Sequence, residues 1–559
     1  MKKGILSLIL ASVLWALMTQ VAQADWTADR IHGMVTVTNL PGEDGGPKIM
    51  RLGSGCYFID WFHRDTTDDP GKLWYQILDP LGNPLLNSTG NLVLSGATWS
   101  YGNTGFHVVS DAQGGAIVIF NDQRTGNHYI YGQRFDQWGQ PLWGSVGFPL
   151  AELGTQDMGV YDATANPNGE IFFTWIGQDS TSHDLYVQKV SDSGNRPWGP
   201  FGVPAGTGPG DQAYSRIVPD TSGGALVLWE DNRAGGYTYY LYAQHFNENG
   251  IPQLTPNGTP LHYPGTTTQI VCGGLEGGEP DDQNGGIFVY TTPGASNTLK
   301  VIRVNGQGQT QWVWGNGIYA FHGVDDFLKH PVDGTIWISA TDNRTGSDQL
   351  YLYHLDLAGN PLFNPAGIIG GEMMVPTSGG IITFETFENV VGARIFAKRF
   401  NNSGRQIWES VVALARLYGG GAPGLCAISS APDGYDGAVI TMLDIRLYPS
   451  EIMNIAAQRV QWNGRLGNPI APQQTVSTER LEISILSGNQ LQFTLAQAGQ
   501  VKLEVFDLLG RRIATVKEEY QSAGVHTTAI NDCNLSSGVY LLRLTTPADQ
   551  QVVRMTITR

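Results

Sequence analysis

Eleven residues, YLYAQHFNENG at Tyr240–Gly250, return as YIYGQRFDQWG at Tyr129–Gly139 and as RIFAKRFNNSG at Arg394–Gly404. Aligned on the final glycine, the unit occurs eight times, at Gly82, Gly139, Gly194, Gly250, Gly308, Gly359, Gly404 and Gly464, with spacings between 45 and 60 residues. A period of that length marks a repeat architecture. Four residues before each glycine stands an apolar side chain: Leu78, Phe135, Val190, Phe246, Val304, Leu355, Phe400 or Val460. Three before it stands a short polar residue (Asp79, Asp136, Ser191, Asn247, Asn305, Asp356, Asn401), with Gln461 the exception. Such side chains bond to backbone N–H groups two residues on, and the glycine supplies the positive φ that closes a hairpin. Four residues after the glycine, Trp143, Trp198, Trp312 and Trp408 recur, with Phe363, Leu86 and Leu254 as variants. These positions predict the start of a second hairpin strand and a place in the core.

Upstream of each unit lies another strand, often opened by paired glycines, as in GGAIVIF from Gly114 and GGALVLW from Gly223. Val227 and Leu228 point to opposite faces, so this strand must be covered on both sides. Eight units of three or four short, doubly covered strands predict an all-β fold, an eight-bladed β-propeller, with seven blades if a terminal unit is incomplete. Two β-sandwiches in series are the rival. HGMVTVTNL from His32 is expected to supply a strand closing the ring on the last repeat. SDSGNRPW at Ser191–Trp198 resembles the Asp-box of sialidase-like propellers, its Trp one residue late. That resemblance implies a structural hairpin away from any active site.

The N-terminus has the pattern of a secretory signal peptide: Lys2 and Lys3, an apolar run from Ile5 to Met18, and a small-x-small site ending at Ala24 where signal peptidase would cut. No other stretch is long and apolar enough to cross a bilayer, so no transmembrane anchor is expected. The formal net charge is −17, and losing the leader's lysines makes it more negative. No basic patch offsets it, which excludes nucleic acid as a partner. Cys56, Cys272, Cys426 and Cys533 lack metal-site spacing; free or buried thiols are expected, one disulfide being compatible with export.

A second motif, D-x-R, occurs at Asp122/Arg124, Asp231/Arg233, Asp342/Arg344 and Asp444/Arg446. Arg124, Arg233, Arg344 and Arg446 are candidate ligand-binding residues, although a device repeated with the fold reads first as a loop clamp. A sialidase needs arginines converging on one carboxylate together with a Tyr/Glu pair, and nothing in the sequence shows convergence. Asp65, Asp68 and Asp69 in RDTTDDPG, and Glu279, Asp281 and Asp282 in EGGEPDDQNGG, are oxygen ligands of the type Ca²⁺ uses. Neither loop has EF-hand spacing, so solvated loops are expected and no cofactor is required. No H-x-x-x-H pair, G-x-S-x-G elbow, Walker loop or dinucleotide fingerprint stands in a usable context. Catalytic residues are unknown from the sequence.

The period stops after RVQWNGRLGNPIAP, and residues 471–480 read as a polar linker. Beyond it Val501, Leu503 and Val505 alternate with Lys502 and Glu504, the pattern of a half-buried strand, and about seven short strands suggest a small Ig-like β-sandwich. Here Phe493-Thr-Leu495, Gly499, Val501, Val505-Phe-Asp507-Leu508-Leu-Gly510-Arg511, Ala523-Gly524, His526, Leu535-Ser-Ser-Gly538-Val-Tyr540, Arg543 and Arg554-Met555 resemble the type A C-terminal sorting domain of the type IX secretion system of Bacteroidetes-related bacteria. Phe506 stands where Tyr is usual, Ile530 near a common Trp, and Arg554 for a frequent Lys. The resemblance implies a sorting signal at Asp507, Leu508, Gly510, Arg511, Gly538, Tyr540 and Arg554. It also implies export through the periplasm and outer membrane by the type IX machinery, with release or surface attachment. The expected organisation is a leader (1–24), a propeller (25–470), a linker (471–480) and a sorting domain (481–559). The expected function is that of a secreted or surface propeller binding a glycan or protein without catalysis; a glycan hydrolase or lyase acting at the propeller mouth is the alternative.

Overall fold

All eight turn glycines have the left-handed backbone their place demands, with φ between +71° and +91°. At the fourth of them, Asn247 Oδ1 accepts the N–H groups of Asn249 and Ile251, each at 3.0 Å, and Gly250 N–H closes on Asn247 O at 2.9 Å. The computed structural model describes residues 26, 34–65, 71–93, 106–122, 124, 129–152, 158–178, 182–294, 297–315, 323–389, 392–418, 428–444, 454–467, 482–485, 490–495, 499–506, 511–521, 524–529, 535, 538–546 and 550–557. The chain divides into two units, Met1–Pro469 and Ile470–Arg559.

Among the described residues the first unit contains eight antiparallel sheets and no helix. The fourth sheet shows the plan: Gln212–Pro219 innermost, then Ala225–Asp231, Tyr239–Phe246, and Thr259–Pro260 at the rim. The other innermost strands are Glu43–Arg51, His107–Ser110, Met158–Ala165, Gly274–Pro280, Val324–Lys329, Met373–Thr377 and Ile428–Pro432. Each packs on the next around a common axis, and Ile428–Pro432 packs back on Glu43–Arg51, so the ring is closed. The sheets are the blades of a β-propeller. Second strands such as Ala225–Asp231 and Ala438–Asp444 are buried along their whole length, because an apolar core lies in every gap between blades. One of these cores joins residues of the seventh, eighth and first blades.

The last blade is built from both ends of the unit. Ile428–Pro432, Ala438–Asp444 and Asn454–Val460 receive their fourth strand from Val35–Thr36, with Val35 opposite Ala457. Trp26 goes with it. In the repeats, Trp198, Trp312 and Trp408 donate their indole N–H to the backbone oxygens of Glu248, Leu357 and Trp462 at 3.0, 3.2 and 3.0 Å. Each acceptor lies two residues before the turn glycine of the following blade. Trp26 donates in the same way to Pro80 O at 3.0 Å, two residues before Gly82, and so serves the junction of the eighth blade with the first. A Cβ on Gly250 would sit 2.8 Å from the Trp198 ring, which gives that turn a second reason for glycine. Trp143, Trp198 and Trp408 precede the outer strands Phe148–Glu152, Val203–Gly206 and Val412–Tyr418 rather than opening them; only Trp312 lies within its strand, Thr310–Trp314. A ring lying across the neighbouring turn leaves the strand direction before the ladder begins.

A second tie uses the same carbonyls. The residue five before the glycine is Arg134, His245, Arg303, His354, Arg399 or Arg459 in six blades. These side chains reach Asp192 O, Gly306 O, Leu357 O, Asn402 O, Trp462 O and Pro80 O of the next blade at 2.6 to 3.2 Å. Their other edge is held by the acid of the first hairpin of their own blade in Arg134–Asp111, His245–Asp220, Arg303–Asp281 and Arg459–Asp433. Cys56 and Cys272 are free and buried, while Cys426 and Cys533 lie outside the described residues.

In the second unit, Glu482–Ile485, Gln490–Leu495 and Gly524–Ala529 form one sheet. Arg512–Gln521, Gly499–Phe506, Gly538–Thr545 and Gln550–Ile557 form the other. Leu491 and Phe493 of the first share one core with Val501, Leu503, Val505, Leu542 and Leu544 of the second. The alternation read in the sequence is the sandwich's inward face.

Replacing buried Trp198 by Ala should cost about 3–5 kcal/mol of stability in a denaturant melt. Trp138→Ala, at a position 55% exposed, should stay within ~0.5 kcal/mol of the parent. Equal effects would misplace the inter-blade contact.

Candidate functional site

The inner strands begin on the face that carries the corners between second and third strands, opposite the glycine turns. That face is the mouth of the axial channel. The register of each inner strand on its neighbour defines one level inside the channel. Opposite the fourth residue of the second strands (the fifth in the seventh blade, whose strand starts one residue early at Gly380) stand Lys48, His107, Asp162, Arg216, Gly277, Asp326, Met373 and Ser429, from the first blade to the eighth. Three of these side chains accept a hydrogen bond from the following blade. Asp162 takes Ile217 N–H at 2.8 Å, Asp326 takes Met374 N–H at 2.7 Å, and Ser429 takes Ile49 N–H at 3.2 Å. Inner strands are sheet edges, and their channel-side N–H groups need acceptors. Glu230 meets the same need at Leu275 N–H, 2.7 Å away. A cavity of about 410 Å³ opens between the inner strands of the first, second and eighth blades beside Lys48.

Crowding by the channel wall withholds water from these groups and disfavours their charged forms. Burial pushes Glu279 up to about 7 and Asp326 up to about 6, and raises Asp162 and Glu230. Burial, with Lys48 and Arg216 nearby, lowers His107 to about 3. Asp60, paired across strands with Lys48, is fully buried with no hydrogen bond to either carboxylate oxygen, and burial raises it well above the usual range.

At the mouth of the third and fourth blades the inner strands carry bulges, between Met158 and Asp162 and between Ala213 and Arg216. Tyr214 sits in the second, with φ +48° and its side chain 53% exposed. Its ring meets Tyr161 edge-on at 6.0 Å, and Tyr239 and Glu230 stand close by. His183 Nδ1 and Asp211 Oδ1 pair at 2.8 Å at the border of the patch.

The structure places the three described D-x-R arginines in separate corners, each bonded within its own blade. Arg124, Arg233 and Arg344 each pair with the Asp two residues earlier, lie 4.2 to 4.4 Å over Tyr131, Tyr242 and Tyr351, and donate to Val146 O, Asn257 O and Ala366 O of their own blade. Arg446 lies outside the described residues. Of the acidic loops, Asp281 accepts Gln283 and Gly285 N–H and pairs with Arg303, and Asp282 pairs with Lys329; residues 66–70 of the other loop, with Asp68 and Asp69, are outside the described set. No group of three or more His, Cys, Asp or Glu able to hold a metal ion occurs among the described residues. Sequence reading missed the channel level and the tyrosine patch; the patch could have been sought in the Tyr-rich run Tyr237–Tyr242, but not Tyr214's bulge.

In the second unit Gly538 and Tyr540 lie on the strand Gly538–Thr545, with Tyr540 against the core, and Arg554 on Gln550–Ile557. Arg511 is exposed just before Arg512–Gln521, whereas Asp507, Leu508 and Gly510, and Ala24 at the leader site, lie outside the described residues. Glu504 is held below the usual carboxylate range by Arg543, 2.7 Å away, and by Arg512.

Residues 487–558 match the family of secretion system C-terminal sorting domains. The second unit is a type IX sorting domain, and the protein is exported across the outer membrane to the cell surface or the medium. No curated protein matches the chain. Among solved structures, it is similar to a protein of unknown function from Dyadobacter fermentans (11% identity, TM-score 0.36, 76% of this chain and 96% of that one). It is similar also to an ulvan lyase of polysaccharide lyase family 25 (12%, 0.37, 68% and 96%). A third is the β-propeller domain of the Trilobed protease from Pyrococcus furiosus (11%, 0.38, 67% and 99%).

Two measurements bear on the buried acid and on the sorting domain. Glu279 titrates near 7 when folded against 4.5 for the free group, so the folded chain holds a proton that the unfolded chain lacks between those values, and stability falls as pH rises through them. Glu279→Gln, which mimics the protonated acid, should melt a few degrees above the parent at pH 8, with the gap closing by pH 4.5; a pH-independent gap refutes the assignment. Deleting residues 481–559 in the host should leave the propeller in the periplasm on fractionation, and undiminished surface display would contradict the sorting role.

Proposed function

We propose that this exported propeller is a glycan-binding protein without catalysis of its own, whose contact surface is the tyrosine patch at the mouth of the third and fourth blades. The observation that carries the reading is Tyr214. A bulky residue with positive φ is disfavoured by about 1–3 kcal/mol and persists where the surroundings impose it, commonly at binding sites. Here the strained bulge turns an aromatic ring outward instead of into the core. Tyr161 supports it from the side, and packs in turn on the core between the two blades. Such a surface offers flat apolar faces to the C–H side of a sugar and phenol tips to its hydroxyls.

What supports binding over catalysis is the use made of the charged groups. Glycoside hydrolysis needs two carboxylates free to act on the bond. In the channel, Asp162, Asp326 and Glu230 each hold an inner-strand N–H of the next blade. The described D-x-R arginines are likewise occupied within their own blades.

The mature full-length protein should bind members of an immobilised glycan panel. Tyr214→Ala and Tyr161→Ala should each weaken that binding at least tenfold, while Trp138→Ala, on the opposite face, leaves it unchanged. Binding indifferent to both tyrosines would remove the patch as the site. Release of shortened or unsaturated products by the parent protein would overturn the non-catalytic reading.

A further inference from the structure

A cleft of about 620 Å³ lies between the rims of the first and second blades, far along the sheets from the inner strands. Its cause is local. The outer strand of the first blade is only Asn91–Leu92, two residues, whereas the second blade ends in the five-residue Phe148–Glu152. Leu92 pairs with Trp74 and Asn91 with Tyr75 of the third strand, and the edge is continued by Val93 N–H on Leu73 O at 2.9 Å and Leu85 N–H on Ile77 O at 2.8 Å. The volume lies within the roughly 300–1,000 Å³ of small-molecule sites.

The lining is unusual for this chain. On a protein of net charge −17, none of the described residues lining the cleft is charged. Its polar groups include the amides of Asn87, Asn91 and Gln140 and the hydroxyls of Thr89 and Ser145, set around Trp74 and Leu92, while the Gln133 amide is taken up by Gly144 O and by the N–H groups of Arg134 and Trp143. Asn87 Nδ2 donates to Asn91 Oδ1 at 3.1 Å, which fixes both amides and leaves the Asn87 carbonyl free to accept from a ligand. Amides that donate and accept side by side match a hydroxyl, which does both. They do not compensate a carboxylate, sulfate or ammonium, which would lose its hydration without a counter-charge. A purely apolar ligand would in turn leave the amides unpaired.

We propose that this rim cleft is a binding site for a neutral saccharide of one to three sugar units, separate from the tyrosine patch. Trp74 and Leu92 provide the apolar floor, and the amides with Ser145 read the hydroxyls. With sites on the first and fourth blades, one polymeric glycan engaged at both would be held more tightly than at either alone.

The test is saturation-transfer NMR with competition titration on the mature full-length protein. The probes are neutral disaccharides (cellobiose, maltose, lactose, mannobiose) and a digalacturonate as the charged counterpart. At least one neutral disaccharide should bind, and digalacturonate should bind at least tenfold more weakly. Gln140→Ala removes one hydrogen-bonding group, and Ser145→Arg fills and charges the cleft; both positions are exposed, so the melting temperature should hold. Each should weaken the neutral probe at least fivefold, while Val332→Ala, at a position 70% exposed on the sixth blade, leaves it unchanged. Absence of binding by all neutral probes, equal binding of the acid, or loss in Tyr214→Ala with retention in the cleft variants would each overturn the proposal.

Discussion

The wheel depends on what happens at one backbone oxygen in seven of the eight blades, the carbonyl two residues before the turn glycine. In the third, fifth, seventh and eighth blades' gaps it is capped by an indole N–H from outside the receiving blade, and in six gaps by an Arg or His from the preceding one. At Leu357, Trp462 and Pro80 it accepts both. The neighbouring glycine has to be left-handed to present that oxygen, and at Gly250 bare to admit the ring. A hydrogen bond supplies direction where hydrophobic contact supplies none. The apolar gaps bring blades together, and the shared carbonyl sets where each one stops.

The channel follows the same economy from the other side. Inner strands have no partner toward the axis, so polar side chains of one blade serve the N–H groups of the next. The consequence is a set of carboxyls whose protonation is tied to stability.

Much of the fold was legible because it is local. The polar residue three before the glycine and the glycine itself act within one turn, so their meaning survives in a linear alignment, as does the double-sided apolar pattern of Ala225–Asp231. The clamp five residues before the glycine was hidden because Arg and His alternate there, sharing only a donor, and because its acceptor is a backbone oxygen with no residue type. Trp26 was hidden because it does the repeat's work from outside the register. The channel level joins residues of unlike chemistry, Lys48 to Ser429, which share only position. Tyr214 could not be told from the other tyrosines, since a positive φ on a non-glycine residue leaves no mark in composition. The D-x-R pairing, by contrast, is a contact between residues two apart, and its intrablade geometry follows from that spacing.

The eighth blade has a kinetic corollary. Arg459 and Pro80, joined across the final gap, are 379 residues apart in sequence, and Val35, which pairs with Ala457, and Trp26 both precede every strand of the first blade. Contacts of such separation form late, because the chain between them must order first. Until they do, the first and eighth blades each present an unshielded oily flank.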